Sequence, residues 1–293
     1  MVVKSTIVGI DSPTSLQEAL IGAQYIASEE LATAGYLALA LGKPLLLEGA
    51  PGVGKTEAGK AIGAVLGRRV IRLQCFEGID ASAALYEWNY PRQMLAIRQA
   101  GREYVNIYAD QFLLERPMLE ALRHPQDCVL LIDEIDRSDH EFEAFLLEFL
   151  SDFQISIPET GTVSAQSRPV VILTSNRTRD LHEALRRRCV YHWIDYPDPQ
   201  LEAQIVLTRA SSVVEQTANA VVAAVGRLRE QPLVKPPGVA ETIEWSEAAT
   251  LLNSQGTPWP EAFRRAIGVA LKDHDDLEHI QPHLNSILPE VAA

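Results

Sequence analysis

The amino-acid sequence predicts an α/β fold, in which a parallel β-sheet flanked by helices is followed by a small all-helical domain. Three observations predict it. Short, continuous apolar runs alternate with longer segments of helical spacing, which is typical of strands covered on both faces. A glycine-rich motif joins the first of these runs to a helical segment. After Pro199 the strand pattern ends, and only helical segments follow.

Five apolar runs with turn signals around them are the predicted strands, and two segments between them have clear helical spacing. A parallel sheet needs such helices as crossovers between its strands. The predicted strands are Pro44–Leu47, Val70–Leu73, Val129–Ile132, Val170–Leu173 and Tyr191–Ile194, and the helical segments are Glu57–Leu66 and Asp139–Leu150.

The rest of the chain predicts four helices separated by breaks. Gln231–Gly238 contains three prolines and a glycine, so it must interrupt any helix. We therefore divide the 293 residues into an α/β domain, residues 1–197, and a helical domain, residues 198–293. The four predicted helices are Leu201–Ser211, Val213–Arg229, Val239–Asn253 and Pro260–Lys272.

Composition excludes several classes of protein. With 47% hydrophobic and 22% charged residues, the chain is neither disordered nor collagen-like. Its three cysteines, Cys75, Cys128 and Cys189, are widely spaced, so they indicate neither a disulfide scaffold nor a zinc site. No signal-peptide pattern opens the sequence, and no apolar run approaches the roughly 20 residues that span a bilayer. We expect a cytoplasmic protein.

The charge balance disfavours nucleic acid as a partner. The chain has 26 Lys and Arg against 39 Asp and Glu, which gives a formal net charge of −13. Such a protein repels phosphate backbones unless its positive charge is concentrated in one place.

Gly49–Thr56 matches the phosphate-loop pattern G-x-x-x-x-G-K-[ST] in full, with a strand before it and a helix after it. Its glycines let backbone N–H groups converge on phosphate oxygens at a helix N-terminus. The lysine of this pattern reaches the β- and γ-phosphates, and the hydroxyl ligates Mg²⁺. The candidate ATP-binding residues are Gly49, Pro51, Gly52, Val53, Gly54, Lys55, Thr56 and Glu57.

Two further predicted strands end in polar residues that suit the same chemistry. Asp133 and Glu134 follow Val129–Ile132 at the carboxyl end of the strand, where ligands of parallel sheets bind. We expect Thr56 to ligate Mg²⁺, Asp133 to hold the Mg²⁺ shell through water, and Glu134 to orient and polarise the attacking water. Asn176 follows Val170–Leu173 and is a candidate for contacting that water or the γ-phosphate, although an Asn there is also a common turn former.

Arg186, Arg187 and Arg188 lie together after a short helical segment. An arginine here can stabilise transition-state charge in the nucleotide of a neighbouring subunit. For any one of the three, the alternative is a basic face that packs against acidic side chains of its own chain.

Together these motifs resemble those of AAA+ ATPases, and more specifically of the MoxR family. The stretches that carry the resemblance are Lys43–Thr56 (KPLLLEGAPGVGKT), Leu131–Arg137 (LIDEIDR), Phe142–Ile157 (FEAFLLEFLSDFQISI) and Leu181–Pro197 (LHEALRRRCVYHWIDYP). Within that family the chain is most similar to the CoxD-like branch, through Leu73–Ala81 (LQCFEGIDA), Leu85–Leu95 (LYEWNYPRQML), Phe112–Glu120 (FLLERPMLE), Thr174–Arg177 (TSNR) and Pro237–Trp245 (PGVAETIEW).

The resemblance implies a hexameric ring with ATP at its subunit interfaces and a helical lid. It makes Lys55 and Thr56 Walker A residues, Asp133 and Glu134 Walker B residues, and Asn176 sensor 1. Arg188 best matches the position of the arginine finger, with Arg187 second. Residues 153–164 match the β-hairpin before the sensor-1 strand, and residues 86–115 match an insert that contacts substrates or partners in relatives. Trp88, Tyr90 and Tyr104 are contact candidates there, although burial is the commoner fate of aromatics.

The chain departs from the family pattern at the start of a lid helix. Many MoxR relatives have Ser-Pro-Arg there, with the arginine as sensor 2, whereas residues 235–241 read KPPGVAE. Three alternatives stay open: Lys235 substitutes, Arg264 or Arg265 approaches from the next helix, or the lid senses nucleotide weakly.

The resemblance implies an ATP-driven remodelling chaperone that matures or activates a metal-containing enzyme beside a von Willebrand factor A protein. A molybdenum hydroxylase, such as a carbon monoxide dehydrogenase, is the kind of client that the CoxD-like branch suggests. The main alternative is an AAA+ motor or loader that acts on nucleic acid. A P-loop kinase of small molecules and an ATPase-dead regulatory subunit agree less well with the intact motifs.

Overall fold

The computed structural model describes residues 9–290. Within them the chain divides into two units. The first takes in residues 9–23, 27–48 and 56–193, and the second takes in residues 24–26, 49–55 and 194–290. The phosphate-loop segment is thus grouped with the helical part of the chain. The domain boundary at residue 197 stays a prediction.

Helices and strands are interspersed as far as residue 194. In chain order they are α1 (Pro13–Gly22), α2 (Glu29–Leu41), β1 (Leu45–Gly49), α3 (Lys55–Val65), β2 (Arg69–Gln74), α4 (Ala81–Ala84), β3 (Tyr86–Trp88), α5 (Tyr90–Ala100), β4 (Leu113–Glu115), α6 (Pro117–Arg123), β5 (Cys128–Asp133), α7 (His140–Asp152), β6 (Gln154–Ile157), β7 (Gly161–Ser164), β8 (Val170–Ser175), α8 (Glu183–Arg188) and β9 (Val190–Ile194).

The predicted strands form one five-stranded sheet in the order β2-β5-β8-β1-β9. β5 pairs in parallel with β2 and with β8, and β8 pairs in parallel with β1. The predicted fold class is confirmed. Residues 45–47 and 128–132 are buried throughout, as expected for strands covered on both faces.

The strand register decides which polar residues become neighbours. Gln74 lies directly opposite Asp133, and Ile132 lies opposite Leu173. Asp133 and Thr174 therefore lie side by side at the carboxyl ends of β5 and β8. Because parallel sheets bind ligands at this edge, the register collects the candidate site residues of the first unit there.

Helix α3 lies very close to the sheet because it has glycines on the packed face. A Cβ atom at Gly63 would lie 2.4 Å from Cγ2 of Val70, and one at Gly59 would lie 2.9 Å from Cδ1 of Leu131. Any larger residue would push the helix away. The two glycines thus fix the distance between the sheet and the helix that carries Thr56.

Two small antiparallel pairs lie outside the main sheet. β3 pairs with β4 on either side of α5, within residues 86–115, and β6 pairs with β7 within residues 153–164. Trp88 is buried, whereas Tyr90 and Tyr104 are exposed. Phe153, the first residue of the expected hairpin, instead has a φ of 47° and ends α7, and the strand begins at Gln154.

The second unit is helical after residue 194, and its core surrounds the fully buried Trp245 and Phe263. The predicted single helix Pro260–Lys272 is wrong, because Ala266 leaves helical geometry at φ −87° and ψ 1°. The break lets Phe263, Ala266 and Leu271 all face the same core. The helices are α9 (Pro199–Arg209), α10 (Glu215–Arg229), α11 (Val239–Ser254), α12 (Trp259–Arg265), α13 (Ile267–Ala270), α14 (His274–Ile280) and α15 (Leu284–Ile287).

Candidate active site

The phosphate loop lies between β1 and α3 and has the backbone that its glycines allow. Gly52 and Gly54 have φ values of 79° and 92°, a region that residues with a Cβ rarely adopt. Lys55 is buried, and its Nζ donates to the carbonyls of Gly49 at 2.8 Å and Ala50 at 2.7 Å. The loop is therefore closed around its own lysine, with Pro51 exposed and Val53 buried.

Helix α11 begins directly on this loop. The N–H of Val239 donates to the carbonyl of Gly52 at 3.0 Å. A Cβ at Gly238 would lie 2.7 Å from Cα of Gly52, so the two backbones meet more closely than a side chain permits. The side chain of Glu241 accepts from the N–H of Gly238 at 3.0 Å and so caps the start of α11. The KPPGVAE segment thus contacts the phosphate loop through backbone atoms.

Arg229 holds the segment before this contact, a role that the sequence analysis missed. Its Nε donates to the carbonyl of Pro237 at 2.8 Å. Its two terminal nitrogens donate to the carboxylate of Glu202 at 2.7 and 2.8 Å, and its guanidinium stacks 4.2 Å from the ring of Tyr196. Thr242 donates to the same carboxylate at 2.6 Å. The only sequence signal was an arginine ending a helix before a proline-rich break.

The cations considered for sensor 2 make other contacts in the second unit. Nζ of Lys235 lies 3.0 Å from a carboxylate oxygen of Asp273. Arg264 donates to the side chain of Asn285 at 2.7 Å, and Arg265 donates to that of Glu261 at 2.8 Å. The three alternatives for sensor 2 stay open.

Asp133 is the centre of a buried hydrogen-bond cluster in the first unit. Only 1% of its surface is exposed. Its Oδ1 accepts from the hydroxyl of Thr56 at 2.9 Å and from that of Thr174 at 2.5 Å. Its Oδ2 accepts from Nε of Arg72 at 2.8 Å, and Nη2 of Arg72 also donates to it. The structure thus brings together Thr56 and Asp133, and adds Thr174 and Arg72, which the sequence analysis did not single out.

Glu134 has a left-handed backbone, with a φ of 55°, that turns the chain sharply at the end of β5. Its N–H donates to the hydroxyl of Thr174 at 2.9 Å. Its Oε2 accepts from Nε2 of Gln74 and from Nη1 of Arg137, both at 3.0 Å. The carboxylate is therefore held by two donors, of which Gln74 comes from the neighbouring strand.

Asp136 orders the loop that carries Asn176. One of its carboxylate oxygens accepts from the N–H of Asn176 at 3.1 Å. The other accepts from the N–H and the hydroxyl of Thr178, at 2.9 and 2.6 Å. Asp136 is buried, so these donors satisfy a charge that would otherwise be costly. In the sequence, the only indication of this role was that Asp136 lies three residues after Asp133.

The three arginines of α8 have different surroundings. Arg186 lies 3.0 Å from the buried carboxylate of Glu48 and 5.1 Å from the ring of Tyr191, as in the intramolecular alternative considered above. Arg187 is exposed and pairs with Glu183. Arg188 is exposed, and donates to the hydroxyl of Ser151 at 2.9 Å and to the carbonyl of Ala184 at 3.1 Å. Arg187 and Arg188 therefore remain at the surface.

The donor set at the end of β5 is suitable for Mg²⁺. The hydroxyl of Thr56 and the carboxylate of Asp133 are hard oxygen ligands on adjacent elements, which is the chemistry that Mg²⁺ prefers. Glu57, the last of the candidate ATP-binding residues, pairs with Lys60 at 2.7 Å along α3.

Comparisons with known proteins agree with this fold. Among solved structures, the chain is similar to a point mutant of Thermotoga maritima RuvB, with a TM-score of 0.50 and 17% sequence identity over 90% of this chain and 72% of that chain. At this identity the likeness concerns the fold alone. No curated protein matches the sequence. In the part of the chain that the structure describes, no helix is long and apolar enough to cross a membrane.

The sequence pattern of one family matches residues 45–194, which is just over half of the chain. These residues contain all five strands of the main sheet, the phosphate loop and the Asp133 cluster. The chain belongs to the ATPase family associated with various cellular activities (AAA), and it is an ATPase.

Proposed function

We propose that the chain hydrolyses Mg²⁺-ATP with the residues that the motifs select. Lys55 and the backbone N–H groups of residues 49–55 bind the phosphates, and Thr56 and Asp133 bind the metal. Mg²⁺ supplies charge neutralisation on the phosphate oxygens. The observation that carries this proposal is the contact of Thr56 with Asp133, since residues 77 positions apart meet as an oxygen ligand pair.

Glu134 is the proposed base that orients and polarises the attacking water. Its hydrogen bonds to Gln74 and Arg137 engage Oε2, so Glu134 must change its contacts, or use Oε1, to reach a water. Asn176 is proposed to contact the water or the γ-phosphate, on a loop that Asp136 orders. General acid–base groups of this kind contribute roughly 10²–10⁴-fold to a rate.

Arg188 is the proposed arginine finger, and it acts on the nucleotide of a neighbouring subunit. It is exposed, and its contacts within the chain are to a hydroxyl and a carbonyl rather than to a carboxylate. Such neutral contacts are weaker than ion pairs and are readily exchanged. Arg186, whose partner is the buried Glu48, is less suited to this role.

The substitution Glu134→Gln tests the catalytic assignment. The amide keeps the size of the side chain and a hydrogen-bonding oxygen but cannot accept the proton of water. We expect ATP to bind with near wild-type affinity while turnover falls by about 10²-fold or more. Glu141→Gln, on α7 of the same unit, is the matched control and should hydrolyse ATP normally. Wild-type turnover by the Glu134 variant would contradict the assignment.

The biological role that we propose is that of a MoxR-type remodelling chaperone, most like the CoxD-like branch. It would act as a hexameric ring, with a von Willebrand factor A-domain partner, on a metal-containing enzyme of the molybdenum hydroxylase kind. Support comes from the resemblance over most of the chain. It also comes from the exposed aromatic side chains Tyr90 and Tyr104 in the insert, which suit contact with another protein.

Reconstitution tests this role. The inactive client, the von Willebrand factor A protein and ATP are combined with the wild-type chain or with the Glu134→Gln variant. Client activity that appears only with the wild-type chain would support the proposal. Activation that is equal with both would show that hydrolysis is not needed. Turnover stimulated by DNA and steeply reduced by salt would instead favour the nucleic-acid alternative, which the net charge of −13 disfavours.

A further inference from the structure

The carboxylate of Asp133 has no lone pair left for a metal ion. A carboxylate offers about four acceptor positions. Oδ1 of Asp133 accepts from the hydroxyls of Thr56 and Thr174, and Oδ2 accepts from Nε and Nη2 of Arg72. Each position is therefore taken, and a cation can approach this carboxylate only if one donor leaves.

Arg72 is the donor that can leave most easily. Gln74 lies opposite Asp133 in the parallel register, and Arg72 lies two residues earlier on the same face of β2, an edge strand. The arginine thus reaches the carboxylate diagonally. Its side chain is 49% exposed, whereas that of Asp133 is 1% exposed. The guanidinium can therefore turn into water when another cation takes its place, while Asp133 cannot move into water.

Arg72 also supplies the charge that Asp133 needs. A buried carboxylate without a counter-ion is strongly disfavoured, and hydroxyl donors alone do not neutralise it. The same guanidinium donates to the side chain of Gln74, and Gln74 donates to Glu134 at 3.0 Å. One cation therefore neutralises Asp133 and contacts the residue that holds Glu134.

We propose that Arg72 is a displaceable counter-ion of Asp133, a positioning residue that holds this carboxylate until a hydrated magnesium ion takes its place at Oδ2. This inference rests on the proposed Mg²⁺-ATP site. Because arginine and metal compete for one carboxylate, Arg72 raises the Mg²⁺ concentration that nucleotide binding requires. The metal can then bind productively only when it arrives with phosphate oxygens that add to its affinity.

The substitution Arg72→Gln tests the competition. Fluorescently labelled ADP is bound to the full chain, and Mg²⁺ is titrated from none to saturation. Since a half-exposed ion pair contributes up to about 1 kcal/mol, we expect the half-saturating Mg²⁺ concentration to fall by up to about fivefold. ADP binding without Mg²⁺ should not change. Arg69→Gln is the matched control, because Arg69 is on the same strand, is 54% exposed and pairs with Glu120 outside the site.

An unchanged or higher Mg²⁺ requirement in Arg72→Gln would overturn the proposal, as would an equal decrease in Arg69→Gln. If Arg72→Gln does not fold, Arg72→Lys gives the same comparison. It keeps the charge but replaces two nitrogen contacts by one, so we expect a decrease of about twofold, and a wild-type value would count against the proposal. A wild-type chain that binds no ADP at all would refute the proposed nucleotide site itself, which separates the two failures.

Discussion

At the scale of single residues, the candidate site depends on two buried carboxylates with different tasks. Asp133 binds hydroxyls and an arginine, whereas Asp136 binds backbone N–H groups. Asp136 thereby fixes the main chain of Asn176 and Thr178, and so the direction from which Asn176 approaches the site. Both are buried, and both oxygens of each carboxylate accept hydrogen bonds, which is the condition under which a charge is tolerated in a protein interior.

Asp136→Asn should disturb the loop that carries Asn176 more than it changes the affinity for nucleotide. The amide replaces one acceptor by a donor that faces the N–H of Asn176 or Thr178. We expect the free energy of unfolding to fall by about 1–3 kcal/mol and turnover to fall more than affinity for ATP. Urea unfolding and steady-state kinetics measure the two effects.

Asp139→Asn is the matched control for Asp136→Asn. Asp139 is the N-cap of α7, where Asn caps a helix about as well as Asp. Equal behaviour of the two variants would show that the hydrogen bonds of Asp136 do not order the loop.

The cysteines give a prediction about pH. Burial raises the pKa of the Cys75 and Cys189 thiols to about 12. An unfolded thiol has a pKa of about 8.5, so between about pH 8.5 and 12 the folded state binds more protons than the unfolded state. Stability should therefore be unaffected by these groups below about pH 8.5 and decrease as the pH rises above it.

Thiol labelling and unfolding measurements check this expectation. At pH 8 the native chain should react slowly with a disulfide reagent at both positions, while in denaturant all three cysteines should react, each releasing one equivalent of the reagent's thiol. The free energy of unfolding should decrease between pH 8.5 and 10, and less so after Cys75→Ala. Rapid labelling of the native chain at Cys75 would show that the thiol is not buried as described.

At the scale of secondary-structure elements, close backbone contacts position the site. α3 approaches β2 and β5 through Gly59 and Gly63, and α11 approaches the phosphate loop through Gly238. Each contact is closer than a Cβ would allow. The two glycines inside α3 therefore have a packing reason, although glycine weakens a helix by roughly 0.5–1 kcal/mol relative to alanine.

Gly63→Ala and Gly226→Ala should change stability in opposite directions. A methyl group at Gly63 meets Val70 at 2.4 Å, so the helix must shift, at a cost of about 1–3 kcal/mol. Gly226 is inside α10 with nothing within 4 Å of its Cβ position, so alanine should stabilise the protein by up to about 1 kcal/mol. Urea unfolding of both variants is the measurement. Stabilisation by both would mean that α3 is free to move outward.

At the scale of the whole molecule, the proposed arginine finger makes turnover depend on a second copy of the chain. The chain has an exposed Arg188 on α8, whose contacts within the chain are to a hydroxyl and a carbonyl. If the arginine acts on a neighbour, catalysis is a property of the assembly. Turnover per subunit should then increase with protein concentration until the ring is complete.

Mixing two inactive variants tests action between subunits. Lys55→Ala loses phosphate binding but keeps its arginine, and Arg188→Ala loses the arginine but keeps its phosphate loop. Each alone should be nearly inactive, and a mixture should regain activity at interfaces where the intact halves meet. If the mixture regains no ATP turnover, the arginine acts in its own subunit's site or has a structural role.

Arg187→Ala, also exposed on α8, is the comparison variant for this mixing experiment. It should hydrolyse ATP at the wild-type rate. Loss of turnover in Arg187→Ala together with an active Arg188→Ala would transfer the role to Arg187.

Local patterns in the sequence were sufficient for the sheet and the phosphate loop. The five apolar runs became the five strands because a run buried on both faces has few other stable arrangements. The loop motif was recognisable because its glycines, lysine and hydroxyl are consecutive. The break at Gln231–Gly238 was also local, since prolines exclude a helix wherever they occur. The division of Pro260–Lys272 into two helices could not be predicted locally, because it depends on packing against a core that other helices share.

The sequence by itself determined the fold class and the AAA family, and it predicted the residues that carry ATP chemistry, because each is encoded in short segments. Only the tertiary structure decided which partners those residues have. Arg72 and Gln74 reach Asp133 and Glu134 through the register of β2 with β5. Asp136 reaches Asn176 because the segments that carry them follow the paired strands β5 and β8. Arg229 contacts Pro237 and Glu202 only after its helices have packed. Such contacts join positions far apart in the chain, and strand register and helix packing, which no local pattern encodes, bring them together.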